Sequence, residues 1–296
     1  MDGNGDRMVL AAFLTSALLA GGNAVAIRFS NRELDPLWGA GLRFSVAAAL
    51  LVAVMAGLRL AVPRGRAALG AVLYGSLSFG AAFALFYYAL VELQAGFGQI
   101  VLALIPLATL LLAVLQGQER LRFAAVTGAL IGLMGIVLMS RTSLPDTVPL
   151  VSLLAAVGGA LCVAQAAVLV RRFPRVHPVT MNAVGMATGG VLLLAGSALA
   201  GESHPLPRGG ETWAALVYLV VVGSVLVFVL YLFVLERWSA SRTTYGFLII
   251  PVVTVALSAW LDDEKVGLGL VLGGALVLAG VYIGAIRPHA RVNLES

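Results

Sequence analysis

Along most of its 296 residues the chain strings apolar positions together, with neither the two-residue alternation of a strand nor the broad polar face of a surface helix. Ten such runs stand out, near residues 8–28, 37–58, 67–90, 93–115, 121–140, 148–170, 178–200, 212–235, 239–261 and 266–286. A helix crossing the hydrocarbon core of a bilayer needs about 20 mostly apolar residues. Barrel strands would be about half as long and would alternate apolar with polar positions. Between the runs the chain breaks on Pro, Gly and charge, as at Asn31-Arg32-Glu33, Pro63-Arg64-Gly65-Arg66, Arg141 to Pro145, Arg171 to Pro178 and Gly201 to Gly210. The pattern predicts an all-α polytopic membrane protein with ten transmembrane helices and connections too short to hold a soluble domain.

Composition agrees and narrows the classes. Apolar residues make up 60% of the chain and charged ones 11%, against roughly 45–50% and about 25% in an ordinary soluble domain. A soluble enzyme, a disordered chain and a disulfide-rich module are excluded. The lone Cys162 has no partner for an internal disulfide. Nineteen Lys plus Arg against fourteen Asp plus Glu give +5, but the charges are spread over many short loops, so the lipid bilayer is the expected partner and nucleic acid is not. The single lysine, Lys265, follows Glu264 and closes no phosphate-binding loop, which argues against an ATP-driven pump. The first run is too long for a cleaved secretory signal and lacks a cleavage-like flank, so it is read as retained.

The basic residues also predict an orientation. With a cytoplasmic N-terminus, that side holds Arg7, Arg59, Arg64, Arg66, Arg120, Arg122, Arg171, Arg172, Arg175, Arg237, Arg287 and Arg291, and the other side only Arg32, Arg141, Arg208 and Lys265. Arg28, Arg43 and Arg242 fall within runs. Both termini are therefore expected on the cytoplasmic side.

The second half re-uses the first at an offset of 145 residues: Ile105-Pro106 falls on Ile250-Pro251, Glu119-Arg120 on Glu264-Lys265, Gly128 on Gly273 and Gly135 on Gly280. This divides the chain into 1–145 and 146–296, five runs in each. Five is odd, so the two copies must enter the membrane with opposite sense. Inverted repeats of this kind are a common plan of secondary transporters, with the substrate near the midplane between them; an old duplication without transport is the plainer alternative.

The stretch Gly22-Asn23-Ala24-Val25-Ala26-Ile27-Arg28, then Pro36 and Leu42-Arg43-Phe44, resembles the opening of an EamA-type repeat. Tyr88-Ala89-Leu90, Ala95-Gly96, Pro106, Gly117-Gln118-Glu119-Arg120 and the Gly-rich fifth run continue the likeness. It covers nearly the whole chain, although the second copy is degenerate, with Asp263-Glu264-Lys265 where the first has Gln118-Glu119-Arg120. These carriers form part of the drug/metabolite transporter superfamily. Within it the chain is most similar to bacterial exporters of aromatic amino acids. The resemblance implies ten helices, spans 1, 3, 4, 6, 8 and 9 around a central cavity, spans 5 and 10 behind them, and a place in the bacterial inner membrane.

Polar side chains inside spans are costly and face the bundle interior or a watery cavity, which selects the candidate substrate contacts. Asn23 of the first span falls on Gln165 of the sixth when Pro36 is set on Pro178, either as a pair of substrate-binding amides or as interhelical glue. Phe79, Phe83 and Tyr87 recur at four-residue spacing on one face of span 3, with Tyr74 and Ser78 on an adjoining strip. They form an aromatic slot for a partly apolar molecule or simply pack. Gln99 falls on Thr244, beside Tyr245, about two turns before the repeated prolines. Pro106 and Pro251 each remove a helix hydrogen bond and are either hinges or static kinks. Arg43 is expected to have a structural partner rather than to bind an anion. Gly128-x-x-x-Gly132, Gly269-x-x-x-Gly273 and Gly280-x-x-x-Gly284 predict close helix contact, within one chain or at a dimer seam; monomer and homodimer both remain open.

No Asp or Glu stands in the middle of a run, and His177, His204 and His289 all fall in connections or the tail. No metal, cofactor or catalytic cluster is therefore expected. The sequence predicts a secondary transporter, not an enzyme, exporting small neutral or zwitterionic metabolites such as amino acids by alternating access. The alternatives are a multidrug or nucleotide-sugar carrier and, from another class, an integral-membrane enzyme or assembly protein.

Overall fold

In the computed structural model, described over residues 3–92, 101–139, 149–261 and 268–286, all regular structure among these residues is helical. Helix α1 is Gly3–Ser30 and α2 is Pro36–Gly57. Helix α3, Arg66–Gly75, passes through a π-helical segment, Ser76–Ala81, into α4, Ala82–Glu92. Then come α5 Ile105–Leu115, α6 Phe123–Met139, α7 Leu150–Leu169 and α8 Pro178–Ala200. Helix α9, Gly210–Val220, runs through a second π segment, Val221–Leu226, into α10, Val227–Leu235. The short α11, Ala240–Thr244, precedes α12, Gly246–Leu261, and α13, Leu268–Val281, ends in a third π segment, Tyr282–Ile286.

Helix is present in every predicted run wherever residues are described. Among the described residues six helices are long and apolar enough to cross a membrane: Gly5–Ile27, Pro36–Gly57, Arg66–Ala89, Leu150–Arg172, Pro178–Ala200 and Gly210–Leu235. Large apolar side chains such as Val52, Leu154, Val191 and Leu199 face outward on these helices, a surface that only lipid solvates well. The chain is a multi-pass membrane protein.

Local sequence explains the helix ends. Pro36 and Pro178 open α2 and α8, where a missing N–H costs no hydrogen bond. Helix α8 closes on Gly201 at φ 73°, a left-handed conformation glycine adopts without strain. Two prolines predicted as a matching pair differ in their setting. Pro106 lies in the first turn of α5, after a break at residues 103–104, whereas Pro251 lies inside α12, and the break in that run comes earlier, at Tyr245. Pro106 therefore starts a helix and does not kink one, because a first-turn proline has no intrahelical bond to lose.

The main helix pairings cross between the regions before and after residue 145. Helix α2 packs on α8 and α6 on α13; α4 packs on α7, and α1 on α9 and α10; α1 also packs on α12, and α5 on α7. Small residues make the close approach possible. A Cβ at Gly128 would lie 2.7 Å from the Gly280 carbonyl and from the Gly284 amide nitrogen, so the small-residue stripes of α6 and α13 serve contact within one chain.

Candidate substrate-binding site

The π segment Val221–Leu226 supplies the centre of the site. A π turn departs from the regular i→i−4 ladder and leaves backbone groups to find other partners. The Gly223 carbonyl accepts from two side chains of the first region: Arg43 Nη2 at 2.9 Å and Asn23 Nδ2 at 3.4 Å. Arg43 Nε also donates to Ser224 Oγ at 2.7 Å. Glycine at 223 leaves the amide its place, because a Cβ would fall 1.9 Å from Asn23 Oδ1 and displace it.

Arg43 is 1% exposed. The ion pairs among the described residues are Arg32–Glu211 and Arg237–Glu236, so this buried guanidinium has no counter-charge there. A cation at the centre of a membrane helix costs about 3 kcal/mol on insertion scales. Its bonds to Ser224 and Gly223, and the rings of Phe44 at 5.0 Å and Phe83 at 5.7 Å, offset that cost. At this pole Arg43 Nη1, a donor, and Asn23 Oδ1, an acceptor, are buried with no hydrogen-bond partner, as are the Tyr74 hydroxyl and both amide atoms of Asn182 outside it.

An aromatic wall adjoins this polar pole. The Phe44 ring meets Phe79 at 5.1 Å and Phe83 at 4.7 Å, Phe79 meets Phe228 at 4.8 Å and Tyr74 at 5.6 Å, and Tyr87 follows Phe83 at 6.3 Å. Four-residue spacing does place Phe79, Phe83 and Tyr87 along one cluster, with Tyr74 and the buried Ser78 beside it. Helix α2 joins wall to pole, since Arg43 and Phe44 are neighbours on it.

Hydrogen bonds tie the two regions together at both ends of the bundle. At the α1–α2 end, Glu33 accepts from the Gly209 amide at 3.0 Å, the Thr212 hydroxyl at 2.9 Å and the Arg208 amide. Asp35 accepts from the Ser203 amide and hydroxyl, and Glu202 from the Leu37 and Trp38 amides at 3.1 and 2.7 Å. The Arg208 and Gly209 amides and the Thr212 hydroxyl hold the Glu33 carboxyl below its usual pKa, and the Ser203 hydroxyl and amide do the same for Asp35. At the opposite end Gln118 donates to the Val168 carbonyl at 3.0 Å, Arg172 to the Gln116 carbonyl at 2.8 Å, and Glu119 accepts from the Ser241 amide at 3.1 Å.

The remaining predicted residues lie elsewhere. Gln165 accepts from Gln116 Nε2 at 2.8 Å, near the end of α7, and does not join Asn23. Thr244 Oγ1 donates to the Ser241 carbonyl at 2.9 Å. The buried Tyr245 donates its hydroxyl to the Ala125 carbonyl and packs against Gly284, behind the site. Gln99 lies outside the described residues. Arg43, Gly223 and Ser224 are the residues that sequence reasoning undervalued; the available signal was an arginine deep in a run that carries no acid.

Spanning helices with apolar outer faces are packed around a buried cation and a row of rings, the build of a multi-pass membrane protein. The chain belongs to the EamA-like transporter family, whose profile matches residues 7–141 and again 150–285. It is 25% identical over 270 residues to an uncharacterised transporter of Archaeoglobus fulgidus, covering 87% of this chain and 91% of that one. A second uncharacterised transporter of the same organism is 26% identical over 91 residues, 31% of this chain and 32% of its own length. A protein solved by crystallography superposes with a TM-score of 0.81 over 94% of this chain and 96% of its own, at 23% identity, a likeness of fold.

Proposed function

We propose that this transporter is a secondary carrier that exports small zwitterionic or neutral metabolites, amino acids foremost, across a bacterial inner membrane by alternating access. In this reading ten helices form two five-helix repeats of opposite sense, 1–145 and 146–296, and both termini are cytoplasmic. The observation that carries it is the polar pole at Gly223, buried between the two regions and flanked by rings, with hydrogen-bonded closures between those regions at both ends of the bundle. A site closed on both sides is what alternating access needs at its midpoint. The pairing pattern supports the repeat: exchanging the halves turns α1 on α9 and α10 into α7 on α4, and returns α2 on α8 and α6 on α13 to themselves.

The test is purified protein in liposomes. Labelled amino acids should move down their gradient without ATP. Flux of a lipophilic cation with none of any amino acid would overturn the substrate class.

A further inference from the structure

The two unpartnered atoms at the pole are complementary. Arg43 Nη1 can only donate, and Asn23 Oδ1 can only accept. The amide orientation follows from the Gly223 carbonyl, which requires a donor and so takes Asn23 Nδ2, leaving Oδ1 beside the Gly223 Cα with no donor. Both side chains bond that one carbonyl, which brings the group with the spare donor and the group with the spare acceptor to one backbone unit and restricts their rotation. An α-amino acid carries the matching pair on adjacent atoms: a carboxylate that accepts and an ammonium that donates. The Ser224 bond on Nε and the Gly223 bond on Nη2 hold the guanidinium in one plane, with Nη1 left over. Each unmade bond to a buried charge is costly, so an acceptor that reached Nη1 would gain more than one reaching a neutral group. Phe44 and Phe83, which already face Arg43, stand where an apolar substrate side chain would continue.

We infer that Arg43 and Asn23 form the head-group receptor of the carrier, Arg43 Nη1 taking a substrate's α-carboxylate and Asn23 Oδ1 its ammonium. This rests on the amino-acid reading above and sharpens it, because a ligand without a carboxylate leaves the buried cation as it stands in the closed protein. Gly223 is the positioning residue: it supplies the shared carbonyl and leaves room for the amide.

The test uses the full chain in liposomes and three probes of one shape: L-phenylalanine, its amide, which lacks the carboxylate, and phenylpropionate, which lacks the ammonium. Each competes against counterflow of labelled L-phenylalanine, and the unaltered protein alone is enough to decide the outcome. Loss of a hydrogen bond to a buried charge is worth about tenfold or more in affinity, so the amide should compete at least about tenfold more weakly than phenylalanine. Phenylpropionate, which keeps the carboxylate, should lose less. Arg43→Gln should erase the preference for phenylalanine over its amide, and Asn23→Ala the preference for phenylalanine over phenylpropionate. An amide that competes as well as phenylalanine overturns the receptor while leaving amino-acid export standing. Folded protein that moves neither phenylalanine nor any other amino acid overturns both.

Discussion

The two π segments, Ser76–Ala81 and Val221–Leu226, are 145 residues apart at both ends, the same offset that relates the halves of the sequence. Their surroundings differ in chemistry throughout. Against the first, Gly185 meets Gly75 backbone to backbone, and Gly189 lies under Phe79. Against the second, the residues at the corresponding positions are Arg43 and Val220, with Asn23 and Ser224 completing a polar cluster. The contrast extends to the connections. Phe173, before α8, covers Gly70 of α3, while the connection before α2 reaches α9 through the Glu33 carboxylate. One frame has thus been used twice, once as an apolar seam and once as a polar one. The first seam has hydroxyls, the unpartnered Tyr74 among them, but its close contacts are between glycines and rings and it carries no charge like Arg43. The buried charge belongs to the second copy, and the first contributes rings and close helix contact.

The sharpest way to break this comparison is to give the apolar seam a side chain. A Cβ on Gly75 would lie 2.2 Å from the Gly185 carbonyl oxygen, and backbone cannot swing away as a flexible side chain does. Gly75→Ala should destabilise the protein by about 3 kcal/mol, the upper end of overpacking effects, seen as a lower melting temperature and poor folded yield in detergent. Its counterpart change, Val220→Ala, removes two methyl groups from a packed position and should cost about 2 kcal/mol. A Gly75→Ala protein as stable as the parent would mean that the seam is loosely packed and the comparison false.

A second pair of variants separates function from packing. Asn23 and Gln165 occupy corresponding positions in sequence, but Asn23 lies at the pole and Gln165 is held by Gln116 at the end of its helix. Asn23→Ala should lower amino-acid flux by about tenfold with similar folded yield. Gln165→Ala should leave flux within about twofold and cost about 1 kcal/mol of stability, the worth of an interhelical amide bond. Equal losses of flux would restore the symmetric two-amide site.

These pairs also show what the sequence could and could not reveal. The helical runs, the opening prolines Pro36 and Pro178 and the close-contact glycines Gly128 and Gly280 depend on neighbours one or two turns away, so pattern alone locates them. The aromatic row Phe79, Phe83, Tyr87 follows from helical spacing for the same reason. The partners of Arg43, Gln165 and Tyr245 are different. Each bonds a group 49 or more residues away, and in the case of Arg43 the acceptor is a carbonyl within a π segment. Local periodicity does not say where a helix slips by one residue, so the arginine was visible while its role was not.

The smallest expected effect concerns the connection that continues the polar seam outward. Glu202 takes the Leu37 and Trp38 amides at the start of α2, an acid at the positive end of a helix dipole. Glu202→Ala should cost about 0.5–1 kcal/mol and speed hydrogen exchange at those two amides, with little change at the Gly75–Gly185 seam. Acid should act on Glu33 and Asp35 in the same sense but late. Both carboxyls are held below their usual values by the amides and hydroxyls they accept from. A group whose pKa is lowered in the closed state stabilises that state fully above its ordinary value and loses the contribution as pH falls through the lowered one. Hydrogen exchange at the Ser203 and Gly209 amides should therefore be unchanged, after correction for its intrinsic rate, from pH 7 to about pH 5, and should rise only below about pH 4. At Phe173 and Gly70 the facing carboxyl is Glu236, which burial pushes above its usual value; protonating it relieves a buried charge, so the same titration should not speed exchange there. Release of both connections together between pH 7 and 5 would show that they open as one unit, and that the chemical difference between the two seams has no mechanical counterpart.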